Sequence, residues 1–187
     1  MSKFVSVAGF ARLMHPYVTG LVTCCDASGN PNIITIAWMI PVSNKPPMLA
    51  MSVAPPRHSF GLIQETGEFV INIAPYEIAE QVLYCGRRSG RDVSKFDATG
   101  LTPKPAQQVR PPIIAECLAH LECRVVQDIE VGDHHLFIGE VLAAYARAGV
   151  LGEKGQYDLA RTRHLLHVGG NVFTTTRPET IEPPLKG

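Results

Sequence analysis

Short apolar runs separated by Pro- and Gly-rich turns dominate the chain, the pattern of an antiparallel β protein. Residues 17–25 predict a strand and residues 26–30 (DASGN) a turn. Residues 32–38 (NIITIAW) predict a second strand, so that the two form a hairpin. Residues 43–47 read as a loop and 48–53 as a third strand, ended by Pro55 and Pro56. A short helix is predicted from about His58 to Thr66, with Gly67 as its stop and Phe60, Leu62 and Ile63 toward the core. Residues 68–73 form another strand. Pro75 opens a helix through Tyr84 with Gly86 after its end, and 87–112 read as a loop-rich excursion. Over 116–125, Cys117, Ala119, Leu121, Cys123 and Val125 alternate with Glu116, His120, Glu122 and Arg124, which predicts a strand with one apolar and one polar face. Gly132 and Asp133 turn the chain into a partner strand over 135–145. From about Asp158 the pattern is mixed, and 177–187 read as extended and exposed.

These elements predict a mainly β fold, an antiparallel barrel with short helices in its connections. The alternating strand–helix rhythm of a dinucleotide-binding sheet and its G-x-G-x-x-G loop are both missing, so a nicotinamide cofactor would have to bind in a cleft shared with another ligand. The 187 residues suit one domain, with 158–187 as a C-terminal arm. Lys+Arg and Asp+Glu both number 17, and this zero net charge argues against a nucleic-acid partner. No run approaches the ~18 apolar residues of a membrane span, and Arg12 and His15 interrupt any signal-like stretch at the start. Cys24, Cys25, Cys85, Cys117 and Cys123 are odd in number and lack metal-ligand spacing. They read as buried free thiols in a reducing cytoplasm, with no metal site.

Four segments carry candidate chemistry. In residues 32–38, Thr35 shares a strand face with Ile33 and Ala37, and small side chains there let a flat ring approach the backbone; a half-buried strand with a core tryptophan explains the same residues. Residues 51–59 run from strand to helix start. The helix N-terminus, the Arg57 guanidinium and the Ser59 hydroxyl suit a phosphate, although Ser59 as a plain helix cap fits equally. Residues 86–96 (GRRSGRDVSKF) pack cations, hydroxyls and glycines that can close over an anion or simply form a solvated loop. Residues 132–141 (GDHHLFIGEV) begin a strand with paired histidines, of which only one can face a given pocket.

In order and wording these segments resemble the flavin reductase-like, FMN-binding split-barrel family, and its flavoredoxin and ferric-reductase-like branch in particular. The matching stretches are GNPNIITIAW (29–38), SVAPPRHSFGLIQETGEFVINI (52–73), CGRRSGRDVSKF (85–96) and GDHHLFIGEV (132–141). The resemblance implies a split barrel that binds FMN. It places Asn32, Thr35, Ala37 and Trp38 at the isoalloxazine, with Ser52 and Val53 at the ring's edge. It places Arg57, His58, Ser59, Ser94 and Lys95 at the ribityl phosphate, and His134, rather than His135, at the nicotinamide side. Asn171 in the C-terminal segment is a further contact. It implies a homodimer and an oxidoreductase that passes electrons from NADH or NADPH to flavin, a ferric chelate or a protein acceptor. A non-enzymatic FMN electron carrier and a plain FMN-binding module are the alternatives.

Overall fold

The computed structural model describes residues 9–184. After a 3-10 turn at Phe10–Met14 come β1 (Tyr17–Val18), β2 (Gly20–Cys25), β3 (Pro31–Ile36), β4 (Met39–Asn44), β5 (Pro47–Val53), α1 (His58–Thr66) and β6 (Glu68–Ile73). A 3-10 turn at Tyr76–Ile78 leads into α2 (Ala79–Arg87), followed by α3 (Lys95–Thr99), β7 (Pro103–Lys104) and β8 (Ile113–Ile114). The long hairpin β9 (Ala119–Val131) and β10 (His134–Ala146) and the hairpin β11 (Leu165–Gly169) and β12 (Val172–Thr175) complete the chain.

Every pairing is antiparallel. The main sheet has seven strands in the order β3-β2-β6-β9-β10-β5-β4, and β1-β11-β12 form a smaller sheet. The two edge strands of the main sheet, β3 and β4, are joined directly by Ala37 and Trp38, and Ser52 N–H donates to Trp38 O at 2.9 Å. The sheet therefore curls into a barrel that closes at this one point and stays open along the rest of the seam, the expected split barrel.

Inside the barrel, Val22, Ile34, Met51, Phe69, Ile71 and Phe137 pack together with Ile63 of α1. A second core lies outside it, where Leu21 and Ile33 meet Val82 and Cys85 of α2, Phe96 of α3, Ile114 and Leu165. Strands β2 and β3 are thus covered on both faces, which is why GLVTCC and NIITI read as unbroken runs rather than alternating ones. All five thiols are free and buried, and burial pushes Cys24 and Cys123 up to about 12 and Cys85 up to about 11.

Helix α1 runs as expected. Gly67 follows it with φ 67° and donates its N–H to Ile63 O at 2.8 Å, a left-handed stop that glycine adopts without strain. Other expectations need correction. The predicted strand 17–25 is split at Thr19, whose N–H turns to Leu165 O while its carbonyl accepts from Ala74, so the chain steps from the small sheet to the large one. The strand through Trp38 ends at Ile36, and residues 39–44, partly read as a loop, form β4 against β5. Helix α2 runs through Gly86 to Arg87 rather than ending at Tyr84. A Cβ at Gly86 would lie 3.3 Å from Thr35 Cβ, so this glycine serves the close approach of α2 to β3. The excursion 87–112 contains α3 and β7. The strand predicted over 116–125 starts at Ala119 and continues to Val131, and on its polar face His120 and Glu122 are buried while Arg124 is exposed. Residues 177–184 are exposed and lack regular structure; the rest of the predicted extended tail, 185–187, lies outside the described residues. Among the described residues no helix is long and apolar enough to cross a membrane.

Candidate functional site

The open seam of the barrel forms a cleft of about 450 Å³ along β3. Ile34, Thr35, Ile36 and Ala37 all line it, and since consecutive strand residues point to opposite faces, the cleft follows the strand's edge rather than one of its faces. The backbone directions agree. Thr19 O accepts from Ala74 N on the β6 side, so Gly20, Val22 and Cys24 turn toward β3 and pair with Ile36, Ile34 and Asn32. Ile33 and Thr35 then face away from β2. Ile33 O indeed accepts from Lys95 Nζ at 2.6 Å, and the main-chain N–H and C=O of Thr35, two residues on, point along the free edge. An unpaired strand edge in a walled cleft can hydrogen-bond the edge of a planar heterocycle.

Trp38 and His134 form one wall, their ring centroids 5.3 Å apart. Ser52, Val53 and Ala54 at the end of β5 form the next, and Val82, Leu83 and Gly86 of α2 face them. The small sheet closes the remaining side with Thr19, His167, Gly169, Gly170 and Phe173, and Arg12 and His15 stand beside it.

A second cleft of about 190 Å³ opens beside the first and shares Ile34, Arg57, Gly86 and Arg87 with it. Its lining adds His58, Ser59, Arg88, Ser89, Arg91 and Lys95 and contains no carboxylate. Lys95 is buried and donates to the carbonyls of Ile33 and Cys85 at 2.6 and 2.7 Å; among the described residues no Asp or Glu pairs with it. Burial holds its pKa below the ordinary lysine value. Burial, together with the Arg91 and Lys95 charges, also lowers that of His58. The N-terminus of α1 carries no side-chain cap: Arg57 holds the N-cap position, and Ser59, inside the first turn, accepts from Asn32 Nδ2 at 2.7 Å through its Oγ. Gly90 lies so close over Asn32 that a Cβ would overlap its Oδ1 and approach His58 to 3.0 Å. Uncapped helix N–H groups and a buried lysine without a counter-charge are donors arranged for an anion.

The expected site residues fall into these two clefts with a few exceptions. Thr35, Ala37, Trp38, Ser52, Val53 and His134 line the larger, His58, Ser59 and Lys95 the smaller, and Arg57 both; Asn32, expected beside the ring, instead lines the smaller cleft, because its side chain turns to Ser59. His135 points the other way, to Asp128 at 2.6 Å and the Phe60 ring at 4.7 Å. The face of β3 that carries Thr35 is not open to a ring, as the sequence reading had it. The helix α2 covers that face and Thr35 Oγ1 donates to Val82 O at 2.6 Å, so Thr35 offers the cleft its backbone. Ser94 lines neither cleft; it precedes α3, and its carbonyl accepts from Ala98 N–H. Asn171 lines neither cleft, but its Oδ1 accepts from Arg87 Nε and Nη2 at 3.0 and 2.6 Å and so fixes a guanidinium that lines both. Sequence reasoning missed Arg87 and Arg91, which lie in the cationic segment already singled out. It also missed Arg12, His15, Thr19, His167 and Phe173, which carry no local signal because the small sheet alone brings them together.

Fold and clefts together define a split-barrel protein whose seam joins a strand-edge cleft to a smaller, cation-lined one. The chain belongs to the flavin reductase like domain family, whose model matches residues 11–176. It is similar to an uncharacterized protein of Archaeoglobus fulgidus, 36% identical over 91% of this chain and 96% of that protein. Among solved structures it is similar to an FMN-binding protein from Thermus thermophilus with bound 1-cyclohex-2-enone (27% identity, 98% of this chain and 100% of that one, TM-score 0.85). It is also similar to the flavoredoxin of Desulfovibrio vulgaris (Miyazaki F) (26% identity, 97% of each chain, TM-score 0.86).

Proposed function

We propose that this chain, as one flavin-binding domain, holds FMN with its ring against the free edge of β3 and its phosphate in the smaller cleft, and passes electrons from NADH or NADPH to a flavin, a ferric chelate or a redox protein. The observation that carries the reading is Lys95, a buried cation that has no carboxylate partner among the described residues and lines the smaller cleft beside the free edge of β3. The residues fit the group. A phosphate dianion supplies the missing counter-charge, and Arg57 and the α1 N-terminus supply further donors. When bound, FMN supplies the hydride- and electron-accepting chemistry. The protein orients the ring, leaves one face open, and sets the hydrogen bonds at its edge through the Thr35 backbone. Exposed Ile40 and Val42 on β4 support a homodimer, and the buried thiols suit a reducing cytoplasm.

Purified protein should be yellow, and acid should release FMN rather than FAD, since the smaller cleft has room for a phosphate and no second nucleotide fold is at hand. Anaerobic NADH or NADPH should bleach the visible band. Recovery of FAD alone would refute the phosphate assignment. A yellow protein bleached by neither nicotinamide would favour the electron-carrier reading, which the likeness to a flavoredoxin supports.

His134 and His135 give a paired test. His134 lines the cleft beside Trp38 and is held by Asp133 at 2.8 Å, whereas His135 lies outside the cleft. His134→Ala should slow reduction by NAD(P)H about 10-fold, or 1.4 kcal/mol, while FMN affinity and reduction by dithionite stay nearly constant. His135→Ala is the control. Stopped-flow traces decide it, and equal rates for wild type and His134→Ala would remove His134 from the reaction.

A further inference from the structure

The small-sheet end of the larger cleft contains polar groups that the flavin reading leaves without a role. Thr19 is fully buried and lines the cleft, and among the described residues its Oγ1 has no hydrogen-bond partner; nor has the buried Nδ1 of His15. A buried hydroxyl left unpaired costs about 1–3 kcal/mol, so a ligand atom at this end would relieve a standing penalty. His15 and His167 stand over it edge to face, with centroids 5.2 Å apart. Arg12 lines this cleft and not the smaller one, and no Asp or Glu lines either cleft. One phosphate beside Lys95 therefore leaves the charge of Arg12, at the other end, unmatched.

We propose that Arg12, His15 and His167, with the Thr19 hydroxyl beneath them, bind the diphosphate of the pyridine dinucleotide reductant. The inference rests on the reading of FMN along β3. A dinucleotide is commonly held by a glycine-rich loop whose backbone N–H groups meet the diphosphate, and this chain has no G-x-G-x-x-G. Its diphosphate must then be met by side chains. A guanidinium, two imidazoles and a hydroxyl are such donors, and Trp38 and His134 in the same cleft leave aromatic surface for the nicotinamide ring. The N-terminal segment and the C-terminal hairpin thus act together as the specificity element for the electron donor, while β3 and α1 serve the flavin.

The test uses FMN-loaded protein and ADP-ribose, which carries the diphosphate without the nicotinamide. Calorimetric titration should show Arg12→Ala binding ADP-ribose about tenfold more weakly than wild type, with a smaller loss for His167→Ala. The KM for NADH should rise in parallel. Reduction by 1-benzyl-1,4-dihydronicotinamide, a donor without phosphates, should be unchanged. Arg12 is exposed and makes no side-chain hydrogen bond among the described residues, so its removal leaves folding intact. Unchanged ADP-ribose affinity in Arg12→Ala overturns the inference, as does an equal loss with the phosphate-free donor. Fluorescence titration of wild type with FMN separates the two levels: no FMN binding overturns both readings, whereas normal FMN binding with unaltered ADP-ribose affinity overturns this one alone.

Discussion

Lys95→Met is expected to weaken FMN binding about 100-fold or more, roughly 3 kcal/mol, and to leave riboflavin binding little changed. The lysine is buried at the junction of α3, β3 and α2, where two carbonyls accept hydrogen bonds from its ammonium and burial lowers its pKa. A charge in that position, with no carboxylate partner among the described residues, is costly, and a bound phosphate would offset that cost. Met keeps the length and removes the charge. The phosphate would then meet the remaining cations from the cleft's rim, where water screens them. Arg57→Ala should be milder, about 1.5–3 kcal/mol, because Arg57 is one of several donors there. Riboflavin is the control that matters, because losing two carbonyl partners also disturbs β3. If both flavins weaken equally in Lys95→Met, the damage is structural and the phosphate lies elsewhere.

Glu122→Ala is expected to cost about 3–5 kcal/mol of stability and to lower the unfolding midpoint by on the order of 10 °C. Glu122 is fully buried, yet no salt bridge satisfies it among the described residues. Its Oε1 accepts from Gln107 N at 2.8 Å and from Tyr145 Oη at 2.6 Å, and its Oε2 accepts from Gln108 N at 2.6 Å. One carboxylate thereby ties the excursion between α3 and β8 to the long hairpin. Removing it leaves two N–H groups and a phenol unpaired over a new cavity. Glu122→Gln should recover only part of the loss, because its amide NH₂ would face a donor. The same melts should show a pH effect. Burial lowers the pKa of both His120 and His164 from 6.5, so the unfolded chain takes up protons first. Their contribution is whole above 6.5 and is lost as the pH falls through the lower folded values. A Glu122→Ala midpoint within 2 °C or so of wild type would show that the excursion is held by other contacts.

Much of the architecture follows from residues read in place. Gly67 ends α1 because a left-handed residue was needed where the apolar spacing stopped, and Gly132 with Asp133 turns the long hairpin for a similar reason. The period of two along β10 put His134 and His135 on opposite faces, which the cleft respects. The cationic run 86–96 read as a segment that could close over an anion or form a solvated loop. Local pattern states which face of an element is apolar; it does not state what covers the other face. That is why β4, with its alternation blurred by Pro41 and Ser43, was partly read as a loop until pairing with β5 defined it. Glu122 and His120 were legible only as polar positions of an alternating strand, and the excursion and Asn72 bury them. Lys95 was one cation among several, and only the meeting of α3 with β3 buried it and made it the centre of the smaller cleft. Arg12, His15 and His167 come from opposite ends of the chain and meet because β1 pairs with β11. Such long-range pairings depend on loop closure and mutual burial across the whole molecule, which no window of sequence encodes, so the tertiary structure alone decided where the second half of the cleft would be.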